Sequence, residues 1–187
     1  SLPGRLQTQI QYLDQNPEVV AVGCGAKRVT ENGEFLGLLS RSLPPSEITR
    51  QLTETGAGIL HPGSMFRKNA YESVGGYRTE FRFAQDTDLW LRLAEVGQIG
   101  ECPEVLLELT IDDHGISATR IDQQRMLARL AMECYLARKR GDSEVALLEE
   151  AKRVSADAPR LLSRSQTTRQ KHRAQYFIGS QLLQQRN

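Results

Sequence analysis

The stretch FAQDTDLWLRL, Phe83 to Leu93, sets Asp86 and Asp88 two residues apart at the head of an amphipathic helical pattern. A carboxylate in the first turn of a helix has two uses. It can steady the helix by accepting from free amides and opposing the dipole. Walled by apolar groups, it can instead take a proton from a reacting hydroxyl. Spacing alone leaves both open for Asp86. Asp88 reads as a first-turn acid or as a partner to the residues around the site. Trp90 is either the wall of a pocket or a core residue, since Leu89, Leu93 and Val96 share its helix and need burial. Asp112, Asp113 and His114 form a second group with metal-binding side chains. Three consecutive residues seldom point at one ion, so a stand-alone metal site is not expected there. His61 precedes a proline in a turn and suits a structural hydrogen bond. His172 lies in a basic tail and is expected to be exposed.

The elements that must position these residues can be read from pattern. Leu6, Ile10 and Leu13 make a helical stripe that Asn16-Pro17 ends. Val19 to Cys24 and Phe35 to Leu39 read as strands joined by the Asn32-Gly33 hairpin signal. Ser46 is expected to cap a short helix running through Leu52. Gly58 to Phe66 reads as a strand that turns at His61-Pro62-Gly63 and resumes. Arg67 to Val74 is a short helix closed by Gly75-Gly76, because paired glycines take the left-handed C-cap at little cost. A helix from Gln85 to Val96 and a strand from Val105 to Ile111 come next. From Ile116 the pattern is helical, broken at Gly141-Asp142 and again at Pro159. The body is therefore mixed α/β and the tail helical.

The 187 residues, with net charge +1, 39% hydrophobic and 25% charged, describe an ordinary globular composition. No apolar run approaches the roughly 20 residues of a membrane helix. Three scattered cysteines, Cys24, Cys102 and Cys134, read as reduced buried thiols in a cytoplasmic protein. From Lys152 onward, eight Lys and Arg face one Asp. That tail admits peripheral contact with the inner face of a membrane; a solvated helix balanced by acids elsewhere is the alternative, and nucleic acid is not an expected partner. No GxGxxG and no Walker loop occurs.

Taken in order, His-Pro-Gly-Ser-Met-Phe-Arg (61–67), Gly75-Gly76-Tyr77, Asp86-Thr-Asp-Leu-Trp-Leu-Arg-Leu93, Pro103-Glu-Val-Leu106 and His114-Gly-Ile-Ser117 resemble the later half of family 2 glycosyltransferases of the GT-A fold. The segment LPGRLQTQIQYLDQNPEVVAVG resembles the part of that family just after its metal-binding carboxylates, and the likeness extends over about residues 2 to 125. It implies an α/β fold: a partial GT-A-like mixed sheet with flanking helices, then an all-helical extension. Residues 1–115 would be the acceptor-side half of the transferase domain and 116–187 a basic helical extension. The nucleotide-binding first half, with its Asp-x-Asp motif, would precede Ser1, so this chain alone is expected to be inactive.

The resemblance also implies roles. Asp86 takes the position of the base that activates the acceptor hydroxyl; Gln85 replaces the family's usual glutamate. His61, Gly75, Gly76, Tyr77, Asp88 and Trp90 are the expected substrate contacts. His114 is the expected ligand to a Mg²⁺ or Mn²⁺ ion bound mainly by residues outside this chain. The implied reaction transfers a hexose from a nucleotide sugar to a saccharide or lipid-linked acceptor in polysaccharide biosynthesis. A degenerate remnant serving as a non-catalytic interaction module is the alternative. Gln123-Gln124-Arg125-Met126 only partly resembles the motif of processive synthases, since Met126 replaces its tryptophan, and processivity is not expected. An exposed sheet edge predicts a homodimer.

Overall fold

The computed structural model describes residues 1–111 and 120–156. Within them, four strands and six α-helices form an α/β unit around one mixed sheet: α1 (Arg5–Gln15), β1 (Val19–Thr30), β2 (Phe35–Leu39), α2 (Pro45–Thr55), β3 (Met65–Phe66), α3 (Lys68–Ser73), α4 (Gln85–Leu93), β4 (Gln98–Ile111), α5 (Ile121–Arg140) and α6 (Val145–Ala156). The expected alternation of elements is recovered, with changes at their ends.

β1 organises the sheet. Its first eight residues, Val19 to Ala26, are all buried, as a strand covered on both faces must be. β4 lies parallel along one side of it, from the Val19–Gln98 pair to the Thr30–Ile111 pair. β2 and β3 are both antiparallel to β1, meeting its end and its beginning respectively. β1 runs six residues beyond the Cys24 expected from the apolar pattern. There the ladder to β2 and β4 carries Lys27 and Arg28, and Lys27 pairs with Glu108 of β4 at 3.1 Å. The hairpin turn falls where Asn32-Gly33 places it: Gly33 has φ +81° and its amide donates to the Thr30 carbonyl at 2.9 Å.

Four other expectations need correction. Ser46 does not cap α2; the helix opens on Pro45, whose fixed φ suits the first turn, after Pro44 in an extended conformation. The long strand expected over Gly58 to Phe66 shrinks to Met65–Phe66, because His61-Pro62-Gly63 forms a 3₁₀ turn and proline has no amide for the ladder. β4 begins seven residues before Val105. Its early part looked too polar for a strand, but Glu101 is buried and clamped by Arg41 at 2.8 and 3.2 Å, which neutralises the charge. Val96, expected inside, is 50% exposed beyond the end of α4.

Two buried clusters flank the sheet. Leu13, Val19, Val22, Cys24, Ala26, Cys102 and Leu107 pack on the α1 side. Ile48 and Leu52 of α2, Leu89, Trp90, Leu91 and Leu93 of α4, and Leu127, Leu130, Ala131 and Cys134 of α5 share the other cluster, with Ala151 of α6. α5 and α6 thus pack into the same core as α4. No described helix is long and apolar enough to cross a membrane. Residues 157–187 hold nearly all of the basic tail and lie outside the described residues.

Candidate functional site

α4 is where the predicted chemistry meets the fold. Its first turn carries Asp86 and Asp88, and the two carboxylates end up in opposite environments. Ala84 occupies the N-cap position and offers no side-chain bond. Asp86, the second residue of the helix, is half-buried at the surface. Its Oδ1 accepts from the Thr87 amide at 2.9 Å, and its Oδ2 has no hydrogen-bond partner among the described residues. The helix thus holds one oxygen and leaves the other available.

Asp88 turns inward and is 1% exposed. Its Oδ2 accepts from Arg92 Nη2 at 2.6 Å and Nε at 3.0 Å, one helical turn away. Burial pushes the Asp88 carboxyl upward, against the pull of Arg92, Arg78 and Arg138. The expectation that Asp88 contacts substrate is corrected: it is an internal ion-pair residue. Trp90 is corrected likewise. It is 1% exposed and belongs to the core, with its indole N–H unpartnered in the interior. Gly58 makes room for it, since a Cβ there would stand 2.6 Å from Trp90 Cδ1.

Above this tryptophan lies an aromatic group that includes the remaining expected residues. The His61 ring lies 6.2 Å from the Trp90 ring and 5.9 Å, edge-on, from Tyr77. His61 Nε2 and the Tyr77 hydroxyl are 2.8 Å apart. With the ring proton on Nδ1, the phenol donates; with it on Nε2, the imidazole donates. Tyr77 is 39% exposed, and its phenol is pushed up by burial, then by Tyr71 and by the Asp86 carboxylate. It therefore stays a neutral hydroxyl near neutral pH, within electrostatic reach of Asp86. His61 has the hydrogen-bonding role that its place before proline suggested.

Gly75 and Gly76 shape this loop. Both are left-handed, with φ +77° and +67°. A Cβ on Gly76 would stand 2.8 Å from the Tyr71 hydroxyl, so the glycine lets the chain pass over that ring. Beyond Gly76, the Tyr77 amide donates to the same hydroxyl at 3.3 Å.

The structure thus groups His61, Gly75, Gly76 and Tyr77, with the Asp86 carboxylate within electrostatic reach of Tyr77, while Trp90 and Asp88 are buried. His114, Asp112, Asp113 and His172 lie outside the described residues. Among those described, no three of His, Cys, Asp and Glu come together as a metal site. A surface cavity of 580 Å³ lies elsewhere, between α1 and α3, lined by Leu13, Asp14, Arg67 and Glu72 among others. Its walls include none of the predicted site residues.

Sequence reading missed the cations. Arg92 Nη1 donates to the Val74 carbonyl at 2.6 Å, and Arg78 Nη2 donates to Glu144 at 2.7 Å. The four-residue spacing of Asp88 and Arg92 on one helix face was a visible signal for the first. Glu144 lies far along the chain, and nothing local marks its pairing.

No protein-family model matches the chain. It is similar to "Amylovoran biosynthesis glycosyltransferase AmsE" of Erwinia amylovora, 29% identical over 109 residues, or 58% of this chain and 40% of that protein. It is also similar to "Putative glycosyltransferase EpsE" of Bacillus subtilis, 32% identical over 99 residues, or 52% of this chain and 34% of that one. The chain spans well under half the length of these curated relatives. The resemblance to glycosyltransferases seen in the motifs is thus met by similarity to proteins bearing that name.

Proposed function

We propose that this chain forms the acceptor-side half of an inverting glycosyltransferase, family 2-like with a GT-A-like sheet, and that Asp86 is its general base. The observation that carries the reading is the Asp86 carboxylate. It is half-buried, one oxygen fixed by its own helix and the other without a partner among the described residues, within electrostatic reach of Tyr77, which pairs with His61. An acceptor hydroxyl placed against that oxygen passes its proton to Asp86 as its own oxygen bonds to the anomeric carbon. The bond from that carbon to the diphosphate oxygen breaks, and the nucleoside diphosphate departs with the electron pair. Inversion results from attack on the face opposite the leaving group.

Tyr77 and His61 offer hydrogen bonds to the acceptor's neighbouring hydroxyls, and Gly75-Gly76 lets backbone approach it. A Mg²⁺ or Mn²⁺ ion on the diphosphate belongs to the same reading, with His114 as its ligand from this chain. No step derived from the described residues passes through it. The names of the relatives favour glycosyl transfer in polysaccharide biosynthesis. A hexose donated by a nucleotide sugar and a saccharide or lipid-linked acceptor belong to the reading through the motif resemblance.

The test is Asp86→Asn in the full-length transferase. Release of nucleoside diphosphate in the presence of acceptor should fall by about 10²- to 10⁴-fold, the usual reach of a general base. Calorimetric binding of the nucleotide sugar should survive. Turnover at the wild-type rate would refute the assignment.

A further inference from the structure

Two consecutive glycines give a loop freedom that something must take away. Gly75 and Gly76 precede Tyr77, and Gly75 meets nothing within 4 Å of where a Cβ would stand. Backbone bonds from the Gly75 and Gly76 amides to the Glu72 and Tyr71 carbonyls, both at 3.0 Å, close the turn, and the Tyr77 amide reaches the Tyr71 hydroxyl at 3.3 Å. Charged side chains on either side of Tyr77 add a second restraint. Upstream, Arg92 Nη1 holds the Val74 carbonyl at 2.6 Å. Downstream, Arg78 supplies the hold, and its partners come from two different parts of the chain. Arg78 Nη2 donates to Glu144 Oε1 at 2.7 Å, in the junction between α5 and α6. Arg78 Nη1 faces Asp88 Oδ1 of α4 at 3.7 Å, and each of these two buried atoms lacks a hydrogen bond among the described residues.

Glu144 is itself gripped by Arg138 of α5, which also holds Glu95 at 2.7 Å. α6 adds a further tie just beyond Arg78. The buried Ser155 hydroxyl donates to the Glu80 carbonyl at 2.6 Å and accepts from the Arg82 amide at 3.3 Å. The helices after residue 120 therefore reach the segment beyond Tyr77 at several points. Asp88 and Arg92, which grip the loop from the other side, stand on the same helix as Asp86.

We propose that Arg78 is a positioning residue: braced by Glu144 and Asp88, it sets Tyr77 against His61 and so fixes the acceptor side of the Asp86 site. The α5–α6 junction is thereby part of the site's construction. This rests on the proposed reading for its meaning in catalysis, but its geometry can be tested without any transfer assay.

The experiment is ¹⁵N NMR of the imidazole rings in histidine-labelled chain, where His61 is one of three histidines and is assigned with His61→Gln. Tyr77→Phe removes the hydroxyl and defines how far and in which direction the His61 ring nitrogens move when that bond is lost. Arg78→Lys keeps the charge and loses the two-armed fork; Glu144→Gln keeps the shape and loses one brace. Both should move the His61 nitrogens in the direction set by Tyr77→Phe. Glu95→Gln, which touches Arg138 but not Arg78, should leave them at the wild-type position. Thermal midpoints taken in parallel show that the variants are folded; should one not fold, the other decides.

His61 signals unmoved in both Arg78→Lys and Glu144→Gln would overturn the proposal. So would a Glu95→Gln shift as large as that of Glu144→Gln, which would mean general loosening. Failure here leaves the Asp86→Asn result free to stand, and loss of the base assignment leaves the bracing intact.

Discussion

Replacing Asp88 by Asn isolates what the buried ion pair contributes. The exchange keeps the volume and removes the charge facing Arg92, whose side chain is 4% exposed. Two N–H groups of the guanidinium, at 2.6 and 3.0 Å, lose a charged acceptor, and a charge-assisted bond contributes about 1.5–3 kcal/mol. Leaving one partner of a buried pair uncompensated costs about 3–5 kcal/mol, in agreement with that sum. Domains of this size are stable by about 5–15 kcal/mol, so the variant stays folded with a large part of its margin gone. In urea, with a slope of about 2 kcal/mol per molar, the midpoint should fall by about 2 M at constant slope. The companion variant Asp88→Leu with Arg92→Met removes both charges. It forfeits the Val74 contact but should recover most of the loss, since a paired apolar replacement is often neutral. A midpoint within about 0.3 M of wild type for Asp88→Asn, or a double variant no better than the single one, would refute the reasoning, because the charge would then be finding solvent.

Acid should act through Glu144. The Glu144 carboxyl is raised by burial but held below its usual range by the stronger combined pull of Arg78 and Arg138. Its stabilisation is full above the unfolded value near 4.5 and is lost as pH falls through the folded value, so the stability gap between wild type and Glu144→Gln should close on acidification. Gly76→Ala forces a left-handed alanine into the Tyr71 ring and should lower stability by about 1–3 kcal/mol by denaturation, shifting the Tyr77 environment with it. Burial pushes the Cys102 and Cys134 thiols up to about 12 and also raises Cys24, so iodoacetamide at pH 8 should label none of the three until urea unfolds the chain.

Much of this arrangement was legible in the chain. Asn32-Gly33, the double glycine at 75–76 and the apolar spacing around Trp90 each act within a few residues, and each turn or helix formed where they indicated. Asp86, Tyr77 and His61 stand out by motif; the fold pairs His61 with Tyr77 and sets Asp86 within electrostatic reach of the phenol. The residues alone left Asp88 open as first-turn acid or partner and Trp90 open as pocket wall or core, and only the resemblance made them substrate contacts, because a periodic pattern does not say which face of α4 meets α5, which lies later in the chain. The early half of β4 hid behind Glu101, whose charge makes sense only beside Arg41. Arg78 drew no notice because its meaning depends on Glu144. Interactions between residues distant in sequence leave no local trace, and those are the ones sequence reading lost.

β1 touches every other strand, and its parallel neighbour β4 is the last strand described. During synthesis the run VVAVGCGA must therefore wait, apolar and unpaired along one side, until Gln98 to Ile111 has left the ribosome. Such a delay invites chaperone binding and intermolecular aggregation. Recombinant yield should thus respond more to slower translation and cooler growth than to any change at the Asp86 surface.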